Sequence, residues 1–271
     1  MFLAQASGVT PLIPLAVSAT SGVLLLHELD SRERAERLAA ALLETLLNAI
    51  DANDPQTGAH VRRVARFALI LAEAADLDER DRRSVERIAL FHDIGKISEA
   101  LFDIVHDEQS LSPEKRREIA THPRRGAEVL APLGAFYPDL PEGVLAHHER
   151  WDGSGYPRGL AGEQIPLPAR IVSIADTFDA ITFSRRYRRG KSARDAAARI
   201  CDGRGSQFDP DLTDLFLLPP VFERVEQAMR EAVEGAPPRP RPADDRRRGE
   251  TEEAVPDVKF RWRDAVTAPP S

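Results

Sequence analysis

The sequence predicts an all-α domain followed by a disordered tail, and three observations carry that reading. Between about residues 31 and 233 the apolar residues recur at helical spacing. The apolar–polar alternation of a half-buried strand is nearly absent from the same stretch. Cap signatures with proline at the first helical position, as in Ser112-Pro113-Glu114 and Asp209-Pro210-Asp211, punctuate the chain. Together they predict about eight helices.

The first 26 residues contain no Asp, Glu, Lys or Arg and close on Val23-Leu24-Leu25-Leu26. About 20 apolar helical residues cross a hydrocarbon core of about 30 Å, so this run is long enough. Gly8, Pro11, Pro14 and Gly22 dilute it, and it has neither the basic start nor the cleavage site of a signal peptide. Arg32, Arg34 and Arg37 follow it, which favours the cytoplasm for that flank. Residues 1–30 therefore read either as an inner-membrane anchor formed by residues 1–26, or as an apolar start packed on the domain or inherited from a longer gene. Leu38, Leu42, Leu43, Leu46, Leu47 and Ile50 form the next stripe. It reads as one face of the core, with a homodimer-forming helix as the sharper alternative. Val64, Phe67, Ala68 and Leu71 form another stripe, and Val85, Ile88 and Ala89 a third, in a helix that Asp78 caps and Gly95 ends. Residues 31–233 make up the helical domain. Residues 234–271, beginning EGAPPRPRPADDRRRGE, are rich in Pro and in charge of both signs, and they bury too little apolar surface to offset ordering.

Composition narrows the partners. With 37 basic and 44 acidic residues the formal charge is −7, which argues against a nucleic acid polymer as ligand. A small anion held by a local basic patch fits better, and Arg185, Arg186, Arg188, Arg189 and Lys191 supply one. A single cysteine, Cys201, excludes an intrachain disulfide and a Cys-rich zinc site.

Five of the seven histidines sit in short motifs with acids: His60 in TGAHVRRV, His92 in FHDIGK, His122 in THPRRG, and His147 with His148 in AHHERWDGSGYP. Asp93 follows His92, and Asp176 lies in SIADTFDA. His27 and His106 fall outside the set and read as ordinary surface residues. Imidazole and carboxylate together suit divalent Zn, Mn, Fe, Ni or Co. Seven such ligands exceed what one ion with an open position needs, and fit two ions with a carboxylate between them. Such a pair clamps the attacking and leaving oxygens of a phosphoryl displacement and lowers the pKa of a water from about 15.7 toward about 7.

From about Leu46 to Leu217 the chain resembles the HD-GYP family, a branch of the HD metal-dependent phosphohydrolases. The resemblance is carried by DANDPQTGAH at 51–60, HDIGK at 92–96, HP at 122–123, HHERWDGSGYPRGLAGEQIPLPARI at 147–171 and IADTFDAIT at 174–182. RYR at 186–188 and QFDPDL at 207–212 extend it. It implies an HD-type helical bundle with a two-metal centre, commonly of iron or manganese. The implied ligands are His60, His92, Asp93, His122, His147, His148 and Asp176, with Asp93 bridging. It implies further that Asp93 and Lys96 are catalytic, Lys96 against a phosphate oxygen, and that Arg185 and Arg188 hold the substrate's phosphate and guanine. Gly155, Tyr156 and Pro157 form the motif loop, which shapes the pocket or binds other signalling proteins. The implied activity is hydrolysis of cyclic di-GMP to the linear dinucleotide pGpG and onward to GMP, in bacterial second-messenger signalling.

Three departures qualify the resemblance. Gln56 stands where members with a third metal carry a carboxylate, which favours two ions. Arg186 replaces a usual proline, and ISEALFDIVHDEQS after Lys96 lacks the family's usual loop. The alternatives are a hydrolase of another cyclic dinucleotide or nucleotide phosphate, and a non-catalytic nucleotide-binding scaffold.

Overall fold

The structure is a computed structural model that describes residues 13–97, 112–183 and 190–234, with the backbone alone for residues 13–30, 53 and 97. The first twelve residues, the loop after the HDIGK motif, Arg185, Arg188 and the tail reading at 234–271 (from Gly235 on) lie outside the described residues. Among the described residues there are ten α-helices and no strand, only two isolated bridges.

Helix α1 (Ile13–Asn53) runs unbroken across residue 30. Pro14 does not interrupt it, because it lies in the first turn, where a backbone N–H has no intrahelical partner to lose. No helix among the described residues is long and apolar enough to cross a membrane. The 38–50 stripe divides between two faces. Ala39, Leu43 and Ile50 are buried and Leu46 and Leu47 pack against them, whereas Leu38 and Leu42 are exposed.

One residue, Asp54, separates α1 from α2 (Pro55–Ala74), and its carboxylate caps the new helix by accepting from Gln56 N and Thr57 Oγ1. Val64, Phe67, Ala68 and Leu71 are all fully buried, and α2 is the central helix of the bundle. It packs against α1, α3 (Glu79–Phe91), α7 (Leu167–Thr182), α9 (Pro210–Leu217) and α10 (Pro219–Glu234). Phe178 of α7 joins the layers, with edge-to-face contacts to Phe67, Phe216 and Phe222.

The expected caps are present: Asp78 accepts from Asp81 N, Ser112 from Lys115 N, and Asp209 from Asp211 N and Leu212 N. Helix α3 ends at Phe91, sooner than expected, and Gly95 lies instead in a 3₁₀ turn (Ile94–Ile97). That glycine allows a close approach: a Cβ there would stand 2.1 Å from His122 O and 2.7 Å from Gly126 N. The short helices α4 (Pro113–Ile119), α5 (His122–Leu130) and α6 (Asp139–Ala146) follow, and α8 (Ala193–Asp202) stands between α7 and α9. Three short 3₁₀ turns and these brief helices raise the element count above the expected eight.

Candidate metal centre

Three helix ends and two helix faces converge on one place. His92 and Asp93 follow the last residue of α3, His147 and His148 follow the last residue of α6, and His122 opens α5. His60 and Asp176 project from α2 and α7.

The histidine tautomers follow from hydrogen bonds. Nδ1 of His92 lies 2.8 Å from Ala89 O, that of His122 2.7 Å from Ile119 O, and that of His147 2.6 Å from Val144 O. A carbonyl oxygen only accepts, so each Nδ1 carries the proton and each Nε2 presents a lone pair. The Nε2 atoms of His122 and His147 consequently face each other at 3.2 Å without a proton to share. The Nε2 atoms of His60 and His92 are buried and without a hydrogen-bond partner. Buried polar atoms in that condition are uncommon, and cations bound among them would satisfy all four. The donors fit a divalent metal.

These donors fall into two groups, His60 with His92 and Asp93, and His122 with His147 and His148, the ligand atoms of each lying within 4.8 Å of one another. Asp93 faces both. Its Oδ2 lies 3.8 Å from His60 Nε2 and 3.6 Å from His92 Nε2, and its Oδ1 3.3 Å from His122 Nε2. Asp176 Oδ1, 3.3 Å from His60 Nε2 and 3.8 Å from His92 Nε2, sides with the first group.

Burial and charge tune the cluster. Burial alone would lower the pKa of His60, but the Asp176 and Asp179 carboxylates outweigh it and raise the value to about 9. Burial and the neighbouring His122 push His148 down to about 3. Burial, with the surrounding imidazoles, also pushes His147 well down, and burial lowers His92. Against the cost of its own burial, Asp93 is held well below the usual carboxylate range by Lys96, His92 and His122. Lys96 Nζ lies 2.7 Å from that carboxylate.

Two residues that the sequence reading does not single out support the cluster. Asp179 accepts from His60 Nδ1 at 2.6 Å and is gripped by Arg63 through Nε at 2.6 Å and Nη2 at 3.0 Å. The signal that finds them is spacing: Arg63 lies three residues after His60 and Asp179 three after Asp176, one helical turn along the same face.

The Gly-Tyr-Pro loop closes one side. The Tyr156 ring stacks on the His148 ring with centroids 5.0 Å apart. Gly155 is required by closeness, since a Cβ would meet Arg150 N at 2.3 Å. The buried carboxylate of Glu149 holds the loop by accepting from Arg158 N at 2.7 Å and Leu160 N at 3.1 Å. Beside Asp176 opens a cavity of about 350 Å³, lined also by Ile181, Lys191, Asp195 and Arg199. Gln56 is exposed in the first turn of α2.

Residues 44–212 match the family model described as HD domain. The cyclic di-GMP phosphodiesterase response regulator RpfG of Xanthomonas campestris pv. campestris is 38% identical over 204 residues, which are 71% of this chain and 49% of that protein. A protein of Vibrio cholerae named 3′3′-cGAMP-specific phosphodiesterase 2 is 34% identical over 190 residues, 69% of this chain and 35% of that one. The chain thus spans half or less of the length of these curated relatives. Among solved structures, a cyclic GMP-AMP specific phosphodiesterase of V. cholerae (V-cGAP3) superposes with a TM-score of 0.52 at 24% identity, over 73% of this chain and 53% of that one, and so shares the fold. With the HD match spanning most of the helical domain and HDIGK and DGSGYP both in the cluster's walls, the chain belongs to the HD domain family, in its HD-GYP branch.

Proposed function

We propose that this domain is a metal-dependent phosphodiesterase that opens cyclic di-GMP to linear pGpG in the cytoplasm, with GMP as the product of a second cut. The observation that supports it best is Asp93, one carboxylate facing two groups of imidazole donors. His60, His92 and Asp176 would hold one ion and His122, His147 and His148 the other, with Asp93 shared. Nitrogen and oxygen donors without thiolate suit several divalent metals, of which the HD-GYP resemblance favours Fe or Mn, and the exposed amide of Gln56 speaks for two ions over three. Bound there, divalent ions supply an activated water and Lewis-acid stabilisation of the phosphoryl oxygens.

The chain's own residues supply the rest. Lys96, half-buried beside Asp93, brings a cation to where negative charge grows on a non-bridging phosphate oxygen. Tyr156 and His148 form a stacked wall that keeps bulk water from one side of the reacting phosphate. Lys191 and Arg199 place positive charge in the adjoining cavity, where a dinucleotide's second phosphate would lie. Arg185 and Arg188 complete the proposal as phosphate and guanine ligands. Water adds to phosphorus, the bond to the 3′ oxygen breaks, and that oxygen leaves with a proton.

A second reading keeps the machinery and changes the substrate to another cyclic dinucleotide, and the 34% identical relative named for cGAMP favours testing it. The experiment is turnover by protein purified without oxygen and loaded with Fe(II) or Mn(II), with cyclic di-GMP and 3′3′-cGAMP side by side and products resolved by chromatography. Linear pGpG, absent with Asp93→Ala, is expected. Preferential cleavage of cGAMP would establish the second reading, and no cleavage of either by folded, metal-loaded protein would overturn both.

A further inference from the structure

We infer that Asp179 and Arg63 are positioning residues for one metal only: they lock His60 as a ligand of the first ion and leave the second ion untouched. The inference rests on the metal-centre reading above and goes beyond its ligand set.

The geometry is that of a carboxylate buttressing a metal-bound histidine. Asp179 is almost wholly buried and accepts a hydrogen bond from His60 Nδ1–H, which turns Nε2 toward Asp93 and Asp176 and fixes the ring. A buried carboxylate is costly unless it is paired, and Arg63 pairs it with a two-pronged grip on both oxygens. The Phe183 ring lies 3.9 Å from the Arg63 guanidinium carbon and covers its face. Each link is thus held by the next, from Phe183 to Arg63 to Asp179 to His60.

The second group is held by other means. His122 and His147 are oriented by the backbone carbonyls of Ile119 and Val144, and His148 is stacked on Tyr156. Neither Asp179 nor Arg63 hydrogen-bonds to any of them among the described residues. Removing the buttress should therefore loosen one ion and spare the other.

The test is Mn(II) binding to the full chain, followed by electron paramagnetic resonance and by ion counts after dialysis, with no substrate present. Wild-type protein should hold about two ions and give an exchange-coupled signal. Asp179→Ala should hold about one tightly, show the six-line signal of an isolated ion, and bind the other about 10–100-fold more weakly. Asp179→Asn is nearly isosteric and serves if the alanine variant does not fold. It should weaken the same ion, and Arg63→Lys should fall between it and wild type. Two ions retained with wild-type affinity in folded variants would overturn the inference, as would loss of both together. A wild-type protein that binds no Mn(II) would instead overturn the metal-centre reading on which it rests.

Discussion

His92, His122 and His147 share a tautomer for a reason set by the backbone. Each ring donates Nδ1–H to a carbonyl in the last turn of a helix, Ala89 of α3, Ile119 of α4 or Val144 of α6. Helix ends leave such carbonyls without intrahelical donors, so one bond both completes the helix and aims Nε2 inward. These three histidines were legible in the sequence as candidate ligands because each stands in a compact motif. Asp179 and Arg63 were less so: each lies one helical turn from a candidate ligand, but no local pattern shows that two residues 116 apart are joined. Lys96 gives a prediction at this scale. Lys96→Met should lower turnover of cyclic di-GMP about 100-fold while Mn(II) content stays unchanged, which steady-state kinetics and metal analysis on the same preparation would check. Unchanged turnover would remove Lys96 from the catalytic set.

Elements meet at the cluster only because small residues let them. The 3₁₀ turn carrying Gly95 lies against the first turn of α5, and a side chain there would collide with the His122 carbonyl. Gly95→Ala should therefore push Asp93 away from His122. The expected result is a lower melting temperature, equivalent to about 1–3 kcal/mol, together with reduced Mn(II) occupancy. Calorimetry and metal analysis would show both, and full occupancy would mean that the turn shifts without disturbing the site. Longer elements were readable from apolar period and caps, as Asp78, Ser112 and Asp209 show. The 3₁₀ turns were not, because three to five residues are too few to display a period. The exposure of Leu38 and Leu42 was not either, since a stripe records apolarity and not which face the neighbouring helices cover.

The whole molecule should show a pH optimum of stability when metal-free. His148 is held neutral, with its pKa lowered from 6.5 to about 3, so the unfolded chain takes up a proton first as the pH falls below 6.5. Stability is then lost progressively between pH 6.5 and about 3, and the lowered values of His92 and His147 act in the same sense. His60 works the other way. Its pKa is raised from 6.5 to about 9, so its contribution is fully present below pH 6.5 and fades as the pH rises through 9. Thermal melts of chelator-treated protein from pH 4 to 10 should give a maximum near pH 6.5, with a fall toward acid and a shallower fall between about 6.5 and 9. A steady rise to pH 10 would contradict the His60 assignment.

The bond from His60 to Asp179 joins residues 119 apart in the chain, and that distance orders events in time. While the protein is being synthesised, the early histidines emerge long before the carboxylate that must aim the first of them. Contacts of such long range form late, because the intervening chain must close before they give anything back. An ion that needed the finished arrangement would therefore be captured near the end of folding, and its tight retention would report that the helices through α7 have assembled.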